Sequence, residues 1–212
     1  MAQPVKLVVV SAGLGKPSST RMLGDRLAEA ARRQLVDRGV EVDVHTVELR
    51  DVAVDIAHNL VTGFPPPGLR AAIETVTRAD ALIAVTPIFT ASYSGLFKSF
   101  FDVLDNTALA GKPVLIAATG GTARHSLALE HALRPLFAYL RATVVPTSVY
   151  VATDDWGAAA GAGGDDLAAR IARAGGELAD LAAGLPRAAS APAAEFEEVV
   201  PFAEQLAALR RG

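Results

Sequence analysis

Cysteine is absent from the chain. This excludes disulfides, thiolate catalysis and cysteine-ligated metal or iron–sulfur sites. It is compatible with a reducing cytoplasm, where we expect the protein to act. An excess of one charge is also lacking. The net charge of −3 gives no reason to expect nucleic acid or an anionic membrane as partner. No apolar run approaches the ~18 residues needed to span a bilayer. A charged-then-apolar leader is not expected, because a strand-like run starts at Val5. Repeats of solenoid length are missing. His45, His58, His125 and His131 show no metal-ligand spacing, so no metal is expected.

What is present is a globular balance over 212 residues, with 51% hydrophobic and 20% charged. That is enough for one domain with a full core. We expect this domain to cover residues 1–185, followed by a linker and short tail helix over 186–212. Three apolar runs read as strands buried on both faces: Val5–Ser11, Ala81–Thr86 and Pro113–Thr119. Val40–Leu49 nearly alternates, which suggests an edge strand. Thr143–Ala152 reads as a fifth strand, and Pro146 within it argues for an edge or a bulge. Helical periodicity marks Ser19–Arg38, Leu69–Arg78, Gly95–Leu104, His125–Leu140 and Asp165–Ala183, while Asp51–Gly68 reads as irregular and Trp156–Gly164 as mobile.

This alternation calls for a parallel sheet covered by helices on both faces. Placing the two edge-like strands outermost gives the order 2-1-3-4-5. The expected fold is therefore a flavodoxin-like three-layer α/β sandwich with a five-stranded parallel sheet. In such sheets ligands sit beyond the carboxyl ends of the strands, near the switch point between strands 1 and 3. Three unusual loops fall at that rim.

The first, Ser11–Thr20, is rich in glycine and hydroxyls and opens a helix. A helix N-terminus offers free N–H groups and partial positive charge, so this loop can bind a phosphate. Ser11, Ser18, Ser19 and Thr20 add hydroxyls, and Lys16 and Arg21 can add charge. It is not a P-loop, since Gly15-Lys16 is followed by Pro17, and it lacks the third glycine of the dinucleotide fingerprint.

The second loop lies in Thr86–Asp102, TPIFTASYSGLFKSFFD. Pro87 rules out smooth strand continuation on the usual reading. Backbone groups of Ile88, Phe89, Thr90, Ala91 and Ser92 can hydrogen-bond the edge of a planar heterocycle. Phe89 and Tyr93 serve either ring contact or packing against a neighbour. The helix after this loop carries Leu96, Phe97, Phe100, Phe101 and Leu104, enough to face both the core and a second subunit. In the third loop, Gly120 and Gly121 allow close backbone approach, and Thr119 and Thr122 supply hydroxyls.

These stretches carry a resemblance. Thr86–Asp102, Ala118–His125 (ATGGTARH) and Ala132–Pro135 (ALRP) resemble the NAD(P)H-dependent FMN reductases of the flavodoxin-like superfamily. They are nearest the reductases that serve two-component flavin monooxygenases, such as the alkanesulfonate- and methanesulfonate-linked ones. The similarity runs from about Val5 to Asp155. It implies FMN phosphate at Ser11 and Ser18–Arg21. It implies the flavin ring at Pro87–Tyr93 and Thr119–Gly121. Reduced nicotinamide would stack on the exposed flavin face and pass hydride to flavin N5. No catalytic side chain is then required, because the cofactor carries the chemistry.

The implied activity is NAD(P)H:FMN oxidoreduction that supplies reduced flavin to a partner monooxygenase, in a homodimer or homotetramer. The alternatives are a flavoprotein with tightly bound FMN that reduces quinones, azo dyes or chromate, and a flavodoxin-like electron carrier.

Pro135 falls inside the fourth helix and leaves the His131 carbonyl without its helical donor. A kink or π-bulge is expected near residues 131–135. The sulfonate-linked reductases can carry a π-helical insertion here, with tyrosine where this chain has His131. There the insertion is linked to tetramer contacts and to exchange of the flavin.

Overall fold

A computed structural model describes residues 3–156 and 164–184. The expected tail helix over 186–212, and all but the ends of the segment expected to be mobile, lie outside the described residues. Four strands joined by three long parallel pairings build the centre of the sheet, in the order β2 (Val42–Glu48), β1 (Val5–Ser11), β3 (Ala81–Phe89), β5 (Pro113–Gly120). A two-residue strand, β4 (Ser92–Tyr93), folds back antiparallel onto β3. Beyond β5 lie β6 (Thr143–Val144) and β7 (Val149–Ala152), both parallel to it. This is the flavodoxin-like order, and β2 is an edge as its alternation suggests.

Period-two alternation splits the core into two layers. Val8, Val10, Leu82, Ala84, Ile116 and Ala118 face one side. There they meet α2 (Ala53–Thr62), α3 (Pro67–Thr77), α4 (Gly95–Asp102) and α5 (Arg134–Tyr139). Leu7, Val9, Ile83, Val85, Leu115 and Ala117 face the other side. There they meet α1 (Ser19–Asp37) and α6 (Gly164–Gly184).

The fifth strand is not continuous. From Val114 to Ala117 β5 advances three residues, while its neighbour advances five, from Val144 to Val149. Pro146 sits in this break, where its missing N–H costs no ladder bond. The freed backbone groups are met by side chains. Arg134 donates to the carbonyls of Val145 (3.1 Å) and Pro146 (3.2 Å), and the Glu177 carboxylate accepts from the Thr147 N–H at 2.7 Å.

Residues 51–68, expected to be irregular, contain α2. Its Ala53, Ile56, Ala57 and Leu60 recur at helical spacing, but only Ile56 is buried, and exposed Val54 and Val61 spread apolar residues onto a second face. Pro87 does not end β3, which continues to Phe89. The Val85 carbonyl accepts from Ala12 N–H, so residues 85 and 87 face the β1 edge. β1 pairing stops at Ser11 opposite Val85, and the absent N–H of Pro87 faces no strand.

The fourth helix is as its proline requires. Leu129–Leu133 form a π-helical turn, and the Arg134 N–H reaches back five residues to the Leu129 carbonyl. The aromatics of α4 serve this chain's own core. Phe97, Phe100 and Phe101 are buried within this chain, with Phe101 5.0 Å from Phe137 between ring centroids.

Helices α1 and α6 cross at near-backbone contact. A Cβ on Gly175 would lie 2.8 Å from Ala30 Cβ and 2.9 Å from Ala31 N, whereas one on Gly176 would meet nothing within 4 Å. Gly175→Ala should therefore destabilise by about 1 kcal/mol, because overpacking of ~2 kcal/mol outweighs a helix-propensity gain of ~1. Gly176→Ala should stabilise by up to about 1 kcal/mol. Denaturant unfolding of both variants checks the opposite signs.

Candidate functional site

Strand register brings the three loops together at the carboxyl edge of the sheet. Ser11 pairs with Val85, and Pro87 pairs with Thr119. Loop one follows β1, the β3–β4 hairpin follows β3, and loop three follows β5.

Loop one turns back tightly on the start of α1. A Cβ on Gly13 would lie 2.0 Å from Ser18 Oγ, so only glycine fits there. Ser18 caps α1, its Oγ accepting from the Arg21 N–H at 3.1 Å. The first helical bond runs from Met22 N–H to the Ser18 carbonyl. The N–H groups of Ser19 and Thr20 before it have no intrahelical acceptor. Ser11 is buried, and its Oγ has no hydrogen-bond partner.

Thr20 behaves differently from Ser18 and Ser19. Its hydroxyl is buried and shares a 2.8 Å hydrogen bond with the Thr119 hydroxyl of β5. Two of the sequence-selected hydroxyls thus fasten loop one to loop three. Arg21 is also engaged, at 2.8 Å from both Asp25 and Glu48. Lys16 is exposed at the loop surface.

The second loop is a two-residue hairpin. Thr90 (φ 49°) and Ala91 (φ 66°) are both left-handed, as a type I′ turn requires. Neither is glycine, so each carries about 1–2 kcal/mol of local strain. The base of the hairpin is fixed by buried hydroxyls. Ser94 N–H donates to Thr86 Oγ1 at 3.1 Å, and the Thr86 hydroxyl donates to the Pro87 carbonyl at 2.9 Å. Ser94 Oγ accepts from Phe97 N–H and caps α4.

The two aromatics here separate. Tyr93 packs on Phe97, with ring centroids 6.0 Å apart, whereas Phe89 is 49% exposed at the rim. Ile88 is buried, and Ser92 is half-buried.

In loop three the two glycines also differ. A Cβ on Gly120 would lie 2.0 Å from the Tyr150 hydroxyl, while one on Gly121 would meet nothing within 4 Å. Gly120 is therefore needed by Tyr150 of β7. That hydroxyl donates to the Thr122 carbonyl at 2.7 Å, and Thr122 Oγ1 accepts from Arg124 N–H. Burial, and then Asp155, push the Tyr150 phenol above its ordinary pKa, so it is a neutral donor at physiological pH. Tyr150 was not selected from the sequence. A lone tyrosine in an apolar strand beside a Gly-Gly loop was the available signal.

Arg50 was also not selected. It lies just past β2, and its Nη1 donates to the Gly15 carbonyl of loop one at 2.5 Å. Among the described residues no group of three His, Asp or Glu side chains is arranged to hold a metal.

Topology and rim geometry define a flavodoxin-like α/β protein with an anion-receptive helix N-terminus at the sheet switch point. Comparison with known proteins narrows this class. Residues 5–157 match the family described as NADPH-dependent FMN reductase. An FMN reductase (NADPH) of Pseudomonas aeruginosa is 38% identical over 156 residues, which are 74% of this chain and 81% of that protein. The NADH-dependent FMN reductase SfnF of Pseudomonas fluorescens is 37% identical, with the same coverage of 74% and 81%. A solved oxidoreductase from Corynebacterium diphtheriae superposes with a TM-score of 0.84 at 45% identity, covering 87% of this chain and 100% of that one. The chain belongs to the NADPH-dependent FMN reductase family.

The residues present fit FMN. The orphaned Ser11 Oγ and the free N–H groups of Ser19 and Thr20 suit a phosphate. The hairpin and Gly121 leave backbone accessible to a planar ring. Removing the Tyr150 clamp tests loop three. Tyr150→Phe should cost about 1 kcal/mol of stability, the net worth of one hydrogen bond. Gly120→Ala should cost more, through the clash. The double variant should cost less than the sum, because the two residues share one contact. A thermodynamic cycle from unfolding curves gives the coupling.

Proposed function

We propose that this protein is an NAD(P)H:FMN oxidoreductase that releases reduced FMN to a flavin-dependent monooxygenase. The buried Thr20–Thr119 hydrogen bond carries the reading, because it fixes the anion-receptive end of α1 beside the loop that would seat the ring. FMN, when bound, accepts hydride from the reduced nicotinamide. The chain's task is to bind, orient and exclude water.

Ser11, Ser18, Ser19 and the first-turn N–H groups of α1 receive the phosphate. Thr20 and Arg21 belong to this end of the site as organisers, tied to Thr119 and to Asp25 and Glu48. Backbone groups of Pro87, Ile88, Phe89, Thr90, Ser92 and Tyr93 on one side, and of Thr119, Gly120, Gly121 and Thr122 on the other, border the ring. Exposed Phe89 covers it. No side-chain acid or base is needed. The relatives SfnF and SfnE, named as NADH-dependent FMN reductases, support FMN as the substrate that is reduced. Consumption of reduced nicotinamide fits the cytoplasm. Association into a homodimer or homotetramer is supported by exposed Leu127 and Tyr139 on the faces flanking the π turn.

Purified protein should oxidise NADPH or NADH when FMN is added, read at the reduced-nicotinamide absorbance band. No loss of absorbance with either coenzyme refutes the enzyme. FMN should also wash out during gel filtration, and a stoichiometric yellow protein would refute shuttling. The same run reports oligomeric size.

The ring seat has its own test. Ser92→Arg should abolish measurable FMN binding while leaving far-UV circular dichroism unchanged. Unaltered FMN affinity in a folded variant would overturn the placement.

A further inference from the structure

We propose that Arg50 is the positioning residue that makes this protein prefer phosphorylated flavin over riboflavin, by holding loop one open to the phosphate. The inference rests on FMN being the bound flavin and adds a residue and a selectivity to that reading.

Three observations converge on Arg50. First, its guanidinium reaches across from the end of β2 and donates to the carbonyl of Gly15, in the middle of loop one. The Gly15–Lys16 peptide is trans, since among the described residues only the Lys16–Pro17 bond is cis. Across a trans peptide the carbonyl and the following N–H point in opposite directions. Arg50 therefore turns the Lys16 N–H away from itself. A loop that binds an anion through backbone N–H groups must keep its carbonyls turned outward, because a carbonyl oxygen repels phosphate. Arg50 supplies the outward partner.

Second, Arg50 is itself held. Its Nη2 forms an ion pair with Glu48, and only 18% of the Arg50 side chain and 16% of the Glu48 side chain are exposed. Register places Glu48 beside Ser11 across the β1–β2 pair. The anchor thus sits at the strand that delivers loop one. Burial makes such a charge-assisted contact stronger than a surface pair.

Third, Arg50 keeps an unspent donor. Its Nε is buried without a hydrogen-bond partner, and its second carboxylate, Asp51, is 3.8 Å away. Arg21, the arginine the sequence points to, is closely paired with two carboxylates, at 2.8 Å each. Of the two guanidinium groups around Glu48, Arg50 is the one that orders the loop.

The test compares flavins that share the ring and differ in the phosphate. Arg50→Met keeps the length of the side chain and removes its donors. FMN affinity, from quenching of flavin fluorescence, should fall about ten-fold, the effect of losing one charge-assisted hydrogen bond. Riboflavin affinity should stay within about two-fold, since it makes no use of the phosphate end. Arg50→Lys restores the charge without the planar fork and should recover part of the loss. Arg21→Met should weaken FMN binding less than Arg50→Met.

Equal losses for FMN and riboflavin would reduce Arg50 to a general structural role and overturn the proposal. So would unchanged FMN affinity, or a larger effect from Arg21. If Arg50→Met does not fold, Glu48→Gln removes the anchor while leaving the guanidinium, and the same FMN-selective loss is expected. Wild-type protein that binds neither flavin refutes the flavin reading itself. Wild-type protein that binds FMN, with an unchanged flavin ratio in the variants, refutes only the role of Arg50.

Discussion

A single hydrogen bond between two threonine hydroxyls, Thr20 and Thr119, holds the functional edge of this fold together. The two residues are 99 positions apart and both are buried. Parallel strands deliver their loops to one rim as a matter of topology. Topology does not set how far apart those loops stand. The hydroxyl pair does, by joining the first turn of α1 to the end of β5. Its net worth is modest, about 1 kcal/mol. Its loss would cost more, because the surviving hydroxyl would stay buried and unpaired. The bond is better understood as a spacer between the first turn of α1 and the end of β5 than as a source of stability.

The hairpin on the other side of the rim follows the same logic with the sign of the energy reversed. Thr90 and Ala91 hold left-handed conformations that glycine would adopt more easily. The strain persists because Thr86 and Ser94 fix the backbone beneath it through buried hydrogen bonds. A rim built in advance spares a planar ligand the entropy of ordering a loop.

The sheet order and the three rim loops were legible from hydrophobic runs, because strands buried on both faces have an unmistakable composition. A kink or π-bulge was legible from Pro135, and the structure has the second. What escaped had a common character. Helix α2 has a short apolar stripe, Ala53, Ile56, Ala57 and Leu60, blurred by the exposed Val54 and Val61. Pro87 reads as a strand breaker unless one knows that β1 has already ended. The role of Gly120 reads as ligand access, until Tyr150 is seen to occupy the space a Cβ would take. Arg50 and Tyr150 act on loops far from them in the chain. A sequence read in windows shows which residues can form an element, but not which side chain reaches in from another element to hold it.

Two irregularities on the far side of β5 show that such reaches are part of the fold's economy. Pro135 removes one helical donor, and the helix widens so that Arg134 N–H bonds Leu129. Pro146 interrupts the edge strand and leaves carbonyls without ladder partners. The side chain of Arg134, adjacent to the first proline, donates to the carbonyls of Val145 and Pro146 at the second. Glu130, inside the widened turn, holds the same guanidinium and also accepts from Ser148. Each defect taken alone would leave backbone groups without a protein partner. Together they are complementary, since the residue at the helix irregularity supplies the donors that the strand break lacks. The π turn thus has a structural reason within a single chain, before any contribution to flavin exchange or to contacts between copies.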